Sequence, residues 1–315
     1  MNHKPLTTAA LALSLIGGCA TRIPPAPPIA DYTWTVERQT LPDATLRVLH
    51  VATMTGLEKR QIDGGAKVQR TIPCSVLVLE HPTEGLILID SGYGRRTAAD
   101  PKDYPGAMSV RMTNIKMDAH GAVADRLADI ELEPSDVKHI VITHLHHDHA
   151  GGIEDFPDAT LWMDEREWVA GTRTSLFHGY DPRPYITRQP SFVRFWGTEP
   201  YGPFPAHVDL FDDESIILLP SSGHTPGSIA VLINLPRGSF LYTGDTAWND
   251  ANWQIPAPKG RLARTVVEAN WRENMNALWR IRDWHQKYPD LTIIAGHEPQ
   301  SMTRFHWPEE VIAPK

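Results

Sequence analysis

Cysteine is scarce: among 315 residues only Cys19 and Cys74 carry a thiol. That excludes a disulfide framework and a structural zinc site closed by cysteines. A basic surplus is also missing, because 30 Lys and Arg stand against 38 Asp and Glu, for a net charge of −8. Phosphate binding calls for a basic face, so nucleic acid is excluded as the main partner. The apolar run from Leu6 to Ile16 falls short of the ~20 residues that a spanning helix needs. With 41% hydrophobic and 22% charged residues, the chain can bury a full core, and one catalytic domain suffices.

What the chain does concentrate is histidine. Thr143-His144-Leu145-His146-His147-Asp148-His149 closes the apolar segment Val137 to Thr143 and runs into Ala150-Gly151-Gly152. An extended segment sends alternate side chains to one face, so His144, His146 and Asp148 are expected to converge, with His149 swinging in after a turn. A solvated patch or a purification tag has no apolar strand feeding it and no Asp at a fixed place. The spacing suits two metal ions better than one.

Two ions need more ligands, and three further apolar strands deliver them. Ile216 to Leu219 leads into Ser222-Gly223-His224-Thr225-Pro226-Gly227; Ser239 to Thr243 leads to Gly244-Asp245; Leu291 to Ala295 leads to Gly296-His297. Each candidate follows a strand and has a Gly beside it.

Taken together, these pieces resemble the metallo-β-lactamase superfamily, whose His-x-His-x-Asp-His, His, Asp, His pattern is complete here. The resemblance implies that His144, His146 and His224 hold a first metal, that Asp148, His149 and His297 hold a second, and that Asp245 bridges them. Asp90, in Ile89-Asp90-Ser91-Gly92, resembles the superfamily's first motif and is expected to orient a ligand histidine. The N/O ligand set suits zinc first, although iron, manganese or cobalt fit it as well. Two divalent ions about 3.5–4 Å apart can hold a bridging hydroxide near neutral pH, so the expected chemistry is hydrolysis.

The coarse pattern has strands at Leu46 to Val51, Ser75 to Glu80, Leu86 to Ile89, Val137 to Thr143, Thr160 to Met163, Ile216 to Leu219, Ile229 to Ile233 and Phe240 to Thr243. A helix is expected over Ala122 to Ile130, and a later one carries Val267, Trp271, Met275, Leu278 and Ile281 on one face. Cys74 reads as a buried strand thiol. The sum fits an α/β fold, the four-layer αβ/βα sandwich of the metallo-β-lactamase fold, with the metals at one edge.

The N-terminus resembles a bacterial lipoprotein signal peptide over residues 1–18, with Lys4 before the apolar run and Leu15-Ile16-Gly17-Gly18 before Cys19. Lipid attachment is expected at Cys19, on the periplasmic side of the cell envelope, and Ala20 points to the outer membrane by that family's sorting rule. The alternative is a secreted or periplasmic soluble protein. A Pro-rich linker over 19–33 would then lead to a catalytic domain over 34–315.

The substrate expected is a small molecule with an ester or lactone carbonyl. Within the superfamily the closest resemblance is to N-acyl-homoserine lactonases, the quorum-quenching branch, over Pro73 to Gln300. The branch implies lactone opening by the bridging hydroxide, with Asp148 passing the proton to the leaving oxygen. Thiolate-dependent β-lactamases place a cysteine near the position of Asp245, and none stands there. Alternatives are a glyoxalase II-like thioesterase, whose expected C-terminal basic cluster is thin here, or another carboxylic or phosphoric ester hydrolase. A non-enzyme alternative is a metal-binding envelope lipoprotein. Lactonases carry a tyrosine three residues after the bridging aspartate, where this chain has Trp248, an N–H donor that is neither acid nor base. Tyr93 and His147 are candidate substitutes in the substrate pocket. The aromatic-rich stretch from Trp162 to Phe204 is a candidate lid.

Overall fold

The computed structural model describes residues 22–173 and 178–299, together with the backbone of the terminal strand Val311–Ile312. Residues 1–18, Cys19 and Phe177 lie outside the described residues.

Alternation along the strands generates four layers. In β1 (Thr45–Leu57) and β2 (Gln69–His81), Leu46, Val48, Leu77 and Leu79 face one way, while Cys74, Val76 and Val78 face the other. The same alternation holds in β3 (Gly85–Ile89), with Ile87 and Ile89 opposite Leu86 and Leu88. β4 (Val137–Val141), β5 (Thr160–Asp164) and β6 (Ser191–Val193) extend this sheet in parallel. With β12 (Val311–Ile312) it has seven strands, ordered β12-β1-β2-β3-β4-β5-β6.

A second, five-stranded sheet has the order β11-β10-β9-β8-β7, formed by β7 (Val208–Asp209), β8 (Ile216–Pro220), β9 (Ile229–Leu235), β10 (Gly238–Tyr242) and β11 (Leu291–Ile294). Its Ile229, Val231 and Ile233 meet Leu77, Leu79 and Ile87 between the sheets. On its outer face Ala230 and Leu232 pack under Met275, Leu278, Ile281 and Trp284 of the helix Trp271–Lys287. This is the expected αβ/βα sandwich.

Several boundaries shift. β1 and β2 are 13 residues each, longer than their apolar cores suggested, because they pair with each other from Thr45↔Glu80 to Leu57↔Gln69. The helix expected at Ala122 to Ile130 is an α-turn over Val123–Arg126 followed by a 3-10 turn over Leu127–Ile130. Val267 falls outside the long helix: it ends a separate helix, Arg261–Val266, and Asn270 then caps the next by accepting the Glu273 N–H at 3.3 Å. The described part of the Pro-rich segment lies along that helix, with Trp279 Nε1 donating to the Pro24 carbonyl at 3.2 Å and the Tyr32 hydroxyl to Asp283 at 2.8 Å. Among the described residues, no helix is long and apolar enough to cross a membrane.

Candidate metal centre

Both sheets send loops to one edge. β4 ends at Val141, and Thr143 to His146 cross that edge before the chain turns into the short helix His147–Ala150, with His146 as its N-cap. The run is therefore not extended through Asp148, as expected from alternation; the turn comes two residues earlier. The His149 and Ala150 N–H groups bond the His146 carbonyl at 3.0 and 2.9 Å, and this tight turn brings Asp148 and His149 round together.

β8 delivers His224, β10 delivers Asp245 and β11 delivers His297. Gly223 has φ +133, and a Cβ there would lie 2.1 Å from the Asn274 nitrogen, so only glycine lets this loop close on the long helix. Glu167, fully buried, accepts the Leu145 N–H at 2.8 Å and the Gly227 N–H at 3.1 Å. It ties the histidine-rich segment to the His224 loop, and burial pushes its carboxyl up.

The ligand-type atoms of His144, His146, His224 and Asp245 lie within 4.8 Å of one another, as do those of His149, Asp245 and His297. Asp245 faces both groups. Its Oδ2 is 3.7 Å from His144 Nε2 and 3.2 Å from His224 Nε2, while its Oδ1 is 3.2 Å from His149 Nε2 and 3.1 Å from His297 Nε2. Asp148 Oδ2 stands 3.5 Å from His297 Nε2 and 3.9 Å from His149 Nε2. A third set brings Cys74 within 4.8 Å of Asp148 and His297.

The outer ring nitrogens are fixed from behind. His149 Nδ1 lies 2.7 Å from Asp90 Oδ2, and His297 Nδ1 lies 2.8 Å from the Pro73 carbonyl. His144 Nδ1 is 3.1 Å from Thr143 Oγ1, whose hydroxyl donates to Asp90. Asp90 itself sits at φ 64, a left-handed turn at the end of β3 that aims its carboxylate at this cluster. Each of these contacts leaves a Nε2 directed inward.

The centre fits divalent cations on the chemistry of its own atoms. His144 Nε2 is buried with no hydrogen-bond partner, while against burial the Asp245 charge raises His149 and His297, as expected of imidazoles gathered around one carboxylate. Burial, reinforced by neighbouring imidazoles, holds His144 and His146 well below the usual histidine range, in the neutral form that binds metal. Burial, then the Lys259 charge, lowers His224. At Asp245 burial works upward, but His297 and His149 overrule it and hold the carboxyl well below the usual range.

Lys259 and Glu268 were not foreseen. The Lys259 ammonium, 1% exposed, donates to the Asp245 carbonyl at 2.6 Å and to Glu268 Oε1 at 2.8 Å, and sits 5.2 Å from the Trp248 ring centre. Trp248 in turn donates its indole N–H to Asp245 Oδ2 at 2.7 Å. No local pattern marks Lys259 or Glu268, since their significance arises only when their loop folds over Asp245.

Beside the cluster lies a cavity of about 160 Å³, lined by His146, His147, Asp148, Asp245, Trp248 and His297 on the polar side. Met54, Leu57, Ile72, Met112, Leu262 and Val266 make its apolar wall. Of the two proposed tyrosine substitutes, only His147 lines it. Tyr93 is fully buried behind His147, 3.1 Å from its Nδ1 and stacked at 5.7 Å. Among the described residues no aromatic of the expected lid lines the cavity, although Tyr180 packs on the His146 ring at 4.9 Å and Gly179 is part of the lining. Tyr185 and Phe204 are core, Phe192 is in β6, Tyr201 packs on Trp284 and Trp196 is exposed away from the cavity lining. The end of β1 and the helix Arg261–Val266 form the wall instead.

A fold of this topology, with these strand-end residues converging, belongs to a known class: residues 70–297 match the metallo-β-lactamase superfamily, and the chain is a member of it. N-acyl homoserine lactonase AttM of Rhizobium radiobacter is 27% identical over 237 residues, covering 74% of this chain and 85% of that protein. An N-acyl homoserine lactone hydrolase with N-hexanoyl-L-homoserine bound at its catalytic metal center aligns with TM-score 0.69 and 19% identity, over 85% of this chain and 99% of its own. AidC, a dizinc quorum-quenching lactonase, aligns with TM-score 0.56 and 16% identity, over 82% and 89%. At those identities the structural likeness establishes the fold.

Proposed function

We propose that this protein is a dinuclear metal-dependent hydrolase that opens lactone rings of the N-acyl-homoserine lactone type. The observation carrying it is the two-sided Asp245 carboxylate, one oxygen toward His144 and His224 and the other toward His149 and His297. His144, His146 and His224 would hold the first ion and Asp148, His149 and His297 the second, with Asp245 shared between them. Divalent ions there, zinc first among them, supply Lewis acidity to the carbonyl and a hydroxide nucleophile near neutral pH.

The chain's own residues do the rest. Asp148 lines the cavity and takes the nucleophile's proton, then returns it to the ring oxygen as the C–O bond breaks, giving the open hydroxy acid. The apolar wall from Met54 to Val266 accepts the acyl chain. Trp248 has its N–H engaged by Asp245 and so steadies that carboxylate rather than serving the oxyanion, and His147, in the cavity lining with Tyr93 3.1 Å behind its Nδ1, takes the place of the lactonase tyrosine.

A substrate panel on metal-loaded protein tests this reading: acyl-homoserine lactones, simple lactones, thioesters, phosphotriesters and β-lactams. Ring opening of acyl-homoserine lactones with the highest kcat/KM is expected. Preference for a thioester or phosphotriester, or no turnover at all, contradicts it.

The N-terminal sequence supports anchoring of the enzyme to the cell envelope through lipid on Cys19. Expressed in a bacterial host, the protein should incorporate labelled palmitate, and Cys19→Ala should abolish incorporation. Equal labelling of both rejects the anchor.

A further inference from the structure

Cys74 reaches the cluster from β2, a strand outside the histidine-rich loop. It sits in β2 on the face shared with Val76 and Val78, is fully buried and forms no disulfide. Its sulfur, an Asp148 carboxylate oxygen and a His297 ring nitrogen all lie within 4.8 Å of one another. Zn–S bonds of about 2.3 Å and Zn–N or Zn–O bonds of about 2.0–2.2 Å bridge such a set with sub-ångström adjustment. The same strand positions both partners, because the Pro73 carbonyl that fixes His297 Nδ1 immediately precedes Cys74.

A second observation points to a cation at this place. The buried Asp245 Oδ1 is flanked by two ring nitrogens, His149 Nε2 at 3.2 Å and His297 Nε2 at 3.1 Å, a convergence of ligand-type atoms on the His297 side of the centre. His297 belongs both to this set and to the Cys74 set, and so links the sulfur to it.

We propose that Cys74 contributes its thiolate to the second metal position, alongside Asp148, His149, His297 and the shared Asp245; this rests on the metal-centre reading above. On binding, the S–H bond breaks, the sulfur lone pair goes to the metal and the proton passes to solvent. A soft sulfur donor biases that position toward zinc over manganese or magnesium, so Cys74 sets metal choice at the second position while the first remains an all-histidine and carboxylate site. The sulfur comes from a strand far in sequence from Asp245.

X-ray absorption at the zinc edge on the full chain loaded with two zinc ions tests this without any variant. One sulfur scatterer per two zinc ions at about 2.3 Å is expected, and a shell of nitrogen and oxygen alone overturns the proposal. Cobalt loading gives a second readout. A near-ultraviolet thiolate-to-cobalt band should appear with the second equivalent, persist in Cys19→Ala and vanish in Cys74→Ser. Cobalt d–d bands without that band in the unsubstituted protein reject the sulfur ligand alone, whereas failure to bind two ions rejects the metal-centre reading with it.

Discussion

Asp245 shows how much of a site can hang on one carboxylate. Its two oxygens divide the imidazoles into two sets, its Oδ2 accepts the Trp248 N–H, and its backbone carbonyl accepts the Lys259 ammonium. Lys259 and Glu268 form an ion pair with side chains 1% and 0% exposed. Removing one member leaves a buried charge alone, so Lys259→Met should cost roughly 3–5 kcal/mol in urea denaturation, and adding Glu268→Gln should restore most of it. A single variant within about 1 kcal/mol of the parent would show that the pair is not buried as described. His224, Asp245 and His297 were legible in the sequence because each follows an apolar strand with a Gly beside it, and His144, His146, Asp148 and His149 because they crowd one short run at the end of such a strand. Lys259, Glu167 and the nearness of Cys74 to Asp148 were not, because nothing local distinguishes them from solvent-facing or core residues.

At the scale of elements, periodicity located the strands and missed their ends. The apolar stretch of β2 is legible as Ser75 to Glu80, yet pairing with β1 carries it out to Gln69, where polar residues continue the ladder. The helix His147–Ala150 was hidden for a different reason: the residues that bind metal also fill it, so alternation and turn gave competing readings of one short run. β1 also carries a titratable group outside the proposed ligand set, His50, whose Nδ1 lies 2.7 Å from Ser75 Oγ. Burial, with Arg126 beside it, lowers His50 to about 4 from an unfolded value near 6.5. The folded state thus binds fewer protons, and the stability present above pH 6.5 is lost as pH falls from 6.5 toward 4. The loss attributable to His50 should be about 2 kcal/mol, measured by denaturation at pH 7 and pH 4.5. His50→Gln should flatten that part of the profile, and an unchanged slope would exclude His50 as its source.

For the whole molecule, the four layers and the loops at one edge explain why ligands spread over about 150 residues meet at one point. Fold class follows from strand alternation, since each strand must cover two faces, and the superfamily pattern fixes the edge that carries the chemistry. The wall of the cavity was the least legible part, because the end of β1 and the helix Arg261–Val266 meet there only after both sheets have packed. The central claim is that two ions, joined by Asp245, open a lactone. Metal-free protein titrated with zinc, with acyl-homoserine lactone opening followed at each step, tests it most directly. Activity should climb to its plateau at two equivalents per chain, and Asp245→Ala should bind fewer ions and lose turnover by at least about 100-fold, the scale set by the loss of a charge-stabilising group. Full activity at one equivalent, or an Asp245→Ala variant that keeps both ions and its turnover, would contradict it.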